Sequence, residues 1–211
     1  MVDEQSTVNA AGKPEKGMTK KRAFDIVVSG LCMLFFSPLF LVCYILIKLS
    51  DGGPCIFKQE RIGLGGKPFM IYKFRSMCLK AEQEGPVLSA MSSSEDPRQT
   101  RVGRILRAHH LDELPQLWNV FVGDMSLVGY RPERRYFIDK IMQHDGRYEQ
   151  LYAIRPGVTS YATLYNGYTD TMEKMLRRLD YDIYYLEHMS FLFDMKVLAL
   201  TFIYIVSGKR F

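Results

Sequence analysis

The sequence predicts an α+β fold, mainly α: one compact domain with a hydrophobic element at its N-terminal side. Three observations lead there. An apolar run extends from Ile26 to Ile47. Two short β-like stretches flank the Gly63-Leu64-Gly65-Gly66 turn, and helical spacing of apolar residues governs much of the rest. A chain of 211 residues can bury one good-sized core, so one domain plus an appendage is the economical reading.

The net charge of +5 and pI ≈ 8.9 suit an anionic partner: nucleic acid, a nucleotide or an acidic membrane surface. The cysteines Cys32, Cys43, Cys55 and Cys78 make no C-x-x-C pair, and two lie in the apolar run. They read as reduced, cytosolic-facing thiols without a disulfide framework or zinc site.

Residues 1–19 are polar and aperiodic, which predicts a disordered tail, followed by a membrane element over 20–50 and the main domain over 51–211. At ~1.5 Å per residue the run from Ile26 to Ile47 reaches ~33 Å, against a hydrocarbon core of ~30 Å. No small-x-small cleavage site precedes Lys48, which disfavours a secretory signal. Ser37-Pro38 sits mid-run, where proline removes a backbone hydrogen bond. Lys20, Lys21 and Arg22 lie before the run and Lys48, Lys58 and Arg61 after it, which pulls both ends to the cytoplasmic face. A helix broken at Ser37-Pro38 that dips into one leaflet and returns satisfies both pulls, with Ser37 re-satisfying a freed carbonyl. A spanning helix with a proline kink is the alternative, and the residues alone leave both open.

Asp51-Gly52-Gly53-Pro54 ends this element in a turn. The stretches Cys55–Arg61 and Pro68–Arg75 form the expected hairpin; the glycines between them complete no G-x-G-x-x-G, so a phosphate loop is disfavoured. Residues 81–100 read as a mobile loop. From Arg101 to Leu111 a helix is expected, with Val102, Ile105 and Leu106 on one face. Its Arg101, Arg104 and Arg107 face either solvent or lipid head groups. His109-His110 beside Asp112-Glu113 hints at a metal cluster, which requires the helix to continue through Asp112 and is disfavoured.

The stretch Leu111–Pro132 organises the rest. Asp112 and Glu113 read as the start of a short helix, Asp as N-cap and Glu in the first turn, with Pro115 tolerated there. A loop then delivers Arg131. Such acids can simply cap a helix, so the pair alone does not decide for chemistry. Further on, Arg155-Pro156-Gly157 is a turn displaying another arginine. Asp170-x-x-Glu173 resembles a capping box opening a helix with apolar residues at Met172, Met175, Leu176, Leu179, Ile183 and Leu186. Phe191–Val206 is strongly apolar but carries Asp194 and Lys196, which fits an interfacial amphipathic helix or one packed on the core.

Two classes of function remain. One is an enzyme handling a phosphorylated substrate with paired carboxylates and arginines. The other is a membrane-anchored basic protein that binds lipid or nucleotide without catalysis. No nucleic-acid motif appears, so nucleic acid is not an expected partner. Adjacent acids fit glycosidase chemistry badly, since its carboxyls flank a sugar ~5 Å or more apart.

An ordered set of motifs runs from residue 20 to the end: Lys21-Arg22-Ala23-Phe24-Asp25, Ser37-Pro38, Phe57-Lys58-Gln59-Glu60-Arg61-Ile62-Gly63 and Lys73-Phe74-Arg75-Ser76-Met77. Leu111-Asp112-Glu113-Leu114-Pro115-Gln116, Gly123-Asp124-Met125-Ser126-Leu127-Val128-Gly129, Arg131-Pro132 and Arg155-Pro156-Gly157 follow. In this set the chain resembles the bacterial sugar transferase family, the small monotopic phosphoglycosyl transferases that start glycan assembly on polyprenol phosphate. The resemblance implies a re-entrant helix in one leaflet of the bacterial inner membrane, and that the main domain over 51–211 is a compact catalytic domain on the cytoplasmic face. It also implies Mg²⁺ and transfer of a phosphosugar from a UDP-sugar to undecaprenyl phosphate, releasing UMP.

By the same resemblance Asp112 is the nucleophile that forms an aspartyl phosphosugar, and Glu113 its partner as base, orienting group or metal ligand. Arg131, with Pro132, is the phosphate clamp; Lys73, Arg75 and Arg155 are further phosphate contacts, and Asp112 and Glu113 the Mg²⁺ ligands. The chain departs from the family at Tyr130, where proline is usual, and at Thr159-Ser160, where Thr-Gly is common. It also reads Asn166-Gly167-Tyr168-Thr169 where many members carry an arginine at the third position. Arg131, Arg155 or Arg177-Arg178 then remain to supply that charge. Apolar surface leaves a homodimer open.

Overall fold

The computed structural model describes residues 16–79, 81, 96–167, 169 and 171–207. In chain order, α1 (Lys16–Phe35) and α2 (Ser37–Asp51) precede the strands β1 (Ile56–Ile62) and β2 (Pro68–Phe74). Next come α3 (Arg101–Ala108), a 3₁₀ turn (Leu111–Glu113), α4 (Gln116–Val122) and β3 (Ser126–Val128). Then follow α5 (Arg135–His144), a 3₁₀ segment (Gly146–Ala153), β4 (Gly157–Thr159), α6 (Tyr161–Asn166), α7 (Met172–Glu187) and α8 (Phe191–Val206). The fold is mainly helical with a small β component.

Helix α1 begins at Lys16, so the last residues of the expected tail are helical; residues 1–15 lie outside the described part. No single helix here is long and apolar enough to cross a membrane, but α1 from Lys20 and α2 pass that test together, bent by 61°. The break has the chemistry expected of Ser37-Pro38. Ser37 Oγ donates to Leu34 O at 2.7 Å, and Pro38 falls in the first turn of α2, where a missing N–H breaks no helical bond.

Both halves are tied to the domain at their far ends. Lys21 Nζ lies 2.5 Å from an Asp194 oxygen on α8, and Arg22 donates to Val120 O at 2.5 Å and Phe121 O at 2.8 Å, capping the end of α4. Asp25, buried in α1, accepts from Leu127 N of β3 at 3.1 Å. At the other end Arg75 grips Asp51 through both guanidinium nitrogens. Between these ties, Phe24, Val28 and Cys32 of α1 pack on Leu117, Val120 and Met125, while Cys43 and Ile47 of α2 pack on Cys55, Phe74 and Leu106.

The hairpin has the expected register, Ile56 opposite Phe74 and Ile62 opposite Pro68. A second, parallel pair joins β3 to β4, Ser126 opposite Gly157 and Val128 opposite Thr159, where the sequence suggests only loop and turn. Strands of three residues show no alternation to read. The main core, including Ile138, Leu151, Leu179, Tyr185 and Val197, lies between α5, α7, α8 and the second 3₁₀ segment.

Two helix starts differ from expectation. Asp112 does not cap a helix: it sits inside the 3₁₀ turn, and the residues preceding that turn and α4, His110 and Pro115, offer no side-chain cap. Helix α7 is capped by Thr171, whose side chain accepts from Lys174 N; Asp170 lies outside the described residues, as do 82–95 of the expected loop. Helix α8 buries Asp194 and Val197 but exposes Leu192, Phe202 and Val206, so it has both a core face and an apolar outer one.

Candidate active site

The turn carrying Asp112 and Glu113 is built by a backbone reversal. Helix α3 stops at Ala108, and His110 takes a left-handed conformation (φ 54), alone among described non-glycine residues in having positive φ. A β-branched residue would resist that region, whereas histidine enters it more readily. The chain re-enters helical geometry at once, Glu113 N donating to His110 O and Leu114 N to Leu111 O. His109 and Glu113 therefore do not share a helix face, and no group of three or more His, Cys, Asp or Glu that could hold a metal occurs among the described residues.

Asn119 brings the hairpin to this turn. Its buried side chain accepts from Tyr72 N at 3.0 Å and donates to Met70 O at 2.7 Å, satisfying the free edge of β2 with a single amide. Lys73, the next residue along, then reaches Glu113, with Nζ 2.6 Å from Oε1.

The two carboxyls are electrostatically unequal. Burial pushes the Asp112 carboxyl up, and the adjacent Glu113 charge adds to this; Lys73, Arg107 and His110 oppose it. Glu113 is buried too, which alone would raise it, but Lys73 and then Arg131 outweigh burial and bring it down to about 2. Asp112, Glu113, Lys73 and Arg131 thus share one site.

Arg131 reaches that site because two Arg-Pro turns are packed back to back. Gly129 N donates to Thr159 O at 3.1 Å and Gly157 N to Tyr130 O at 2.8 Å. A Cβ on Gly129 would stand 2.4 Å from Arg155 O, and one on Gly157 would stand 2.1 Å from Gly129 N. Only glycine permits this approach at either position. The turn beyond is fixed by Arg61 Nη1, which donates to Pro132 O at 3.1 Å. Tyr130, in place of the usual proline, is wholly buried against Tyr148.

Two expected phosphate contacts are engaged elsewhere. Arg75 is the buried partner of Asp51 at the end of α2, and Arg155 donates through Nε to Gly123 O at 2.8 Å in a recess shared with Lys21, Arg22 and Asp25. Arg178 points inward to Glu133 and extends a second nitrogen toward Gly167 O, so its guanidinium is engaged within the protein. Conversely, Asn119 and Asp25 act in ways the sequence suggests only faintly, as isolated polar residues in apolar stretches.

Magnesium is a hard cation that typically takes one or two protein carboxylates together with substrate phosphates and water. Two neighbouring carboxyls, one raised by the other's charge, suit it.

A family model described as bacterial sugar transferase matches residues 16–208. The chain is 39% identical over 188 residues to an Aeromonas hydrophila protein named UDP-N-acetylgalactosamine-undecaprenyl-phosphate N-acetylgalactosaminephosphotransferase, covering 89% of this chain and 44% of that one. It is 40% identical over 190 residues to a UDP-glucose:undecaprenyl-phosphate glucose-1-phosphate transferase of Escherichia coli (strain K12), covering 86% and 39%. A Caulobacter vibrioides protein of the same name is 43% identical over 184 residues, covering 86% and 68%. The chain spans less than half the length of the first two relatives.

Proposed function

Since this chain belongs to the bacterial sugar transferase family, we propose that it moves a sugar 1-phosphate from a UDP-sugar to undecaprenyl phosphate, giving polyprenyl-diphosphate-sugar and UMP. The observation that carries this reading is the buried Asp112 beside Glu113, with Lys73 and Arg131 closing around the pair. The relatives' names supply the substrate classes.

In the first half-reaction an Asp112 carboxylate oxygen attacks the β-phosphorus of the donor. The bond to the bridging oxygen of the diphosphate breaks, and UMP leaves with that electron pair. A phosphosugar is then held on Asp112 as a mixed anhydride, splitting one difficult transfer into two easier ones. In the second half-reaction an oxygen of the lipid phosphate attacks the same phosphorus and Asp112 departs as carboxylate. Arg131 offers the planar fork that matches phosphate oxygens, and Lys73 holds Glu113 charged and in place. Glu113 orients the incoming lipid phosphate or receives its proton. Asp112 and Glu113 would hold Mg²⁺, which would supply positive charge offsetting repulsion between anionic attacker and anionic donor.

The same reading assigns α1 and α2 to a re-entrant anchor in one leaflet, with the domain on the cytoplasmic face of a bacterial inner membrane. It is supported by the ties at Lys21, Arg22 and Asp25 on one side and Asp51 on the other, which hold both ends of the bent pair to one body. It is also supported by the exposure of Leu34 (73%) and Phe35 (77%) at the apex. Trp118, Phe121 and Val122 of α4 and the outer face of α8 are exposed apolar surface suited to the interface. An acceptor phosphate at head-group depth would then meet Asp112 near that plane.

The test is UMP release from a panel of UDP-sugars, with undecaprenyl phosphate in detergent. Release that needs the lipid for turnover, stops with excess EDTA and returns with Mg²⁺ is expected. An inert protein across the panel would refute the reading.

A further inference from the structure

Two residues past Arg131 lies Glu133, in a buried arrangement that neither the transfer chemistry nor the sequence motifs use. Its carboxylate bridges two guanidiniums on different elements, Arg61 Nη1 of β1 at 3.4 Å and Arg178 Nη1 of α7 at 3.0 Å. Its backbone carbonyl accepts from Ile62 N at 3.2 Å, and Arg61 also holds the neighbouring carbonyl of Pro132. Arg178 extends a second nitrogen toward Gly167 O, at 3.4 Å. One carboxylate therefore joins β1, α7 and the turn that presents Arg131.

The charges around it do not balance. Arg61 and Arg178 are each held below the usual guanidinium range, first by burial; Arg131's charge acts in the same direction on both, and Glu133 opposes it. Asp182 lines a small cavity together with Arg131, Glu133 and Arg178, and one of its buried carboxyl oxygens lacks a partner among the described residues. Burial raises that carboxyl to about 8, with Glu133 adding to the rise, so near neutrality it contributes little negative charge. Arg131 thus lies within electrostatic reach of both the Arg61–Arg178 clamp and the Glu113 carboxylate.

We infer that Glu133 is a positioning residue: clamped by Arg61 and Arg178, it fixes the turn from which Arg131 reaches the carboxylate pair where a nucleoside diphosphate binds. This rests on the proposed transferase reading for the identity of the ligand. Glu133 touches no substrate in this scheme and acts only through Arg131. A residue that merely held the domain together would instead matter equally whether or not Arg131 is present.

A double-mutant cycle separates these cases. Affinity for UDP is measured by calorimetry, and UMP release and unfolding temperature in parallel, for wild type, Glu133→Gln, Arg131→Ala and the double variant. Glu133→Gln should weaken UDP binding about tenfold when Arg131 is present and less than about twofold when it is absent. Equal losses in both backgrounds would overturn the inference. If Glu133→Gln does not fold, Arg178→Lys keeps the charge but shortens the reach, and the same inequality is expected of it. A wild type that binds UDP yet releases no UMP from any donor would sink the transferase reading, while the binding cycle still decides the role of Glu133. A wild type with no measurable affinity for UDP would overturn both.

Discussion

Lys73 Nζ donates to Glu113 Oε1 at 2.6 Å, and this contact makes unequal partners of two adjacent carboxyls. Glu113 is held strongly ionised, while Asp112, buried and facing that charge, is raised. A carboxylate whose ionised form is poorly stabilised is the better nucleophile of the two, which supports Asp112 as the attacking group in the proposed transfer. The contact exists because Asn119 binds the edge of β2 one residue before Lys73, locking the strand to α4.

Asp112→Asn should abolish UMP release and lipid product together, since the amide neither attacks phosphorus nor leaves from it. A loss of more than about a thousandfold, some 4 kcal/mol of barrier, is expected. The intact mass of wild type incubated with donor alone should rise by one phosphosugar, and that of the variant should not. Substantial turnover by the variant would exclude the covalent route.

Lys73→Met leaves Glu113 buried without its nearest cation. The Glu113 carboxyl should then rise from about 2, because burial is no longer outweighed, and Asp112 should rise further because Lys73 also opposes its shift. The acid limb of the pH–rate profile should accordingly move to higher pH, with transfer at pH 7 down at least about tenfold. An unmoved limb would show that the pair titrates independently of Lys73.

Gly129→Ala should inactivate without touching any reacting group. The added Cβ meets Arg155 O at 2.4 Å and Gly157 N at 2.7 Å, so β3 and β4 must separate and the Arg131 turn shifts with them. Gly146→Ala, where no atom lies within 4 Å, is the control, expected within about 1 kcal/mol of wild type. Chemical unfolding and UMP release on both variants check this, and a fully active Gly129→Ala protein would rule out the tight crossing.

The sign of the Asp182 effect on stability follows from its raised carboxyl. With a folded value of about 8 against an ordinary 3.8, the folded chain binds more protons than the unfolded chain between those values. Stability from this group is fully present below about pH 4, lost as pH rises toward 8, and level above it. Its slope reaches at most about 1.4 kcal/mol per pH unit. Asp182→Asn, neutral at every pH, should lose that slope, so it should gain stability relative to wild type progressively between pH 5 and pH 9. Parallel unfolding curves at the two pH values would contradict the burial of an ionisable group there.

What could be read from the sequence was local. The hairpin needs only two β-like stretches and a glycine turn, the break needs only Ser37-Pro38, and α8 needs only its composition. Contacts made across the fold left little trace. Nothing near Arg75 says that it will grip Asp51, and nothing near Arg155 points to the Gly123 carbonyl. Asp112 and Glu113 were legible as a pair by resemblance, but their geometry was not. The acids look like a helix cap until His110 is seen to reverse the backbone, and one left-handed residue leaves no periodicity behind.

The arrangement of α1 and α2 leads to the last prediction. A spanning helix would leave its N-terminal end across the bilayer from the domain, yet Lys21, Arg22 and Asp25 bond to α8, α4 and β3. Pulling that end across would break the partly buried Lys21–Asp194 ion pair, leaving Asp194 held by Tyr185, and the Asp25–Leu127 hydrogen bond, at a cost of about 2 kcal/mol or more for the ion pair alone. Satisfying Leu34 O through Ser37 and placing Pro38 in a first turn make the bend the less costly solution. A cysteine introduced at residue 2 in a variant lacking the other cysteines should therefore stay unreactive to a membrane-impermeant maleimide in intact cells and react once the cells are opened. Pro38→Leu, which restores a continuous apolar helix, should shift part of the population toward labelling from outside. Labelling of the Pro38 protein itself in intact cells would place the N-terminal end on the far side and rule out the re-entrant anchor.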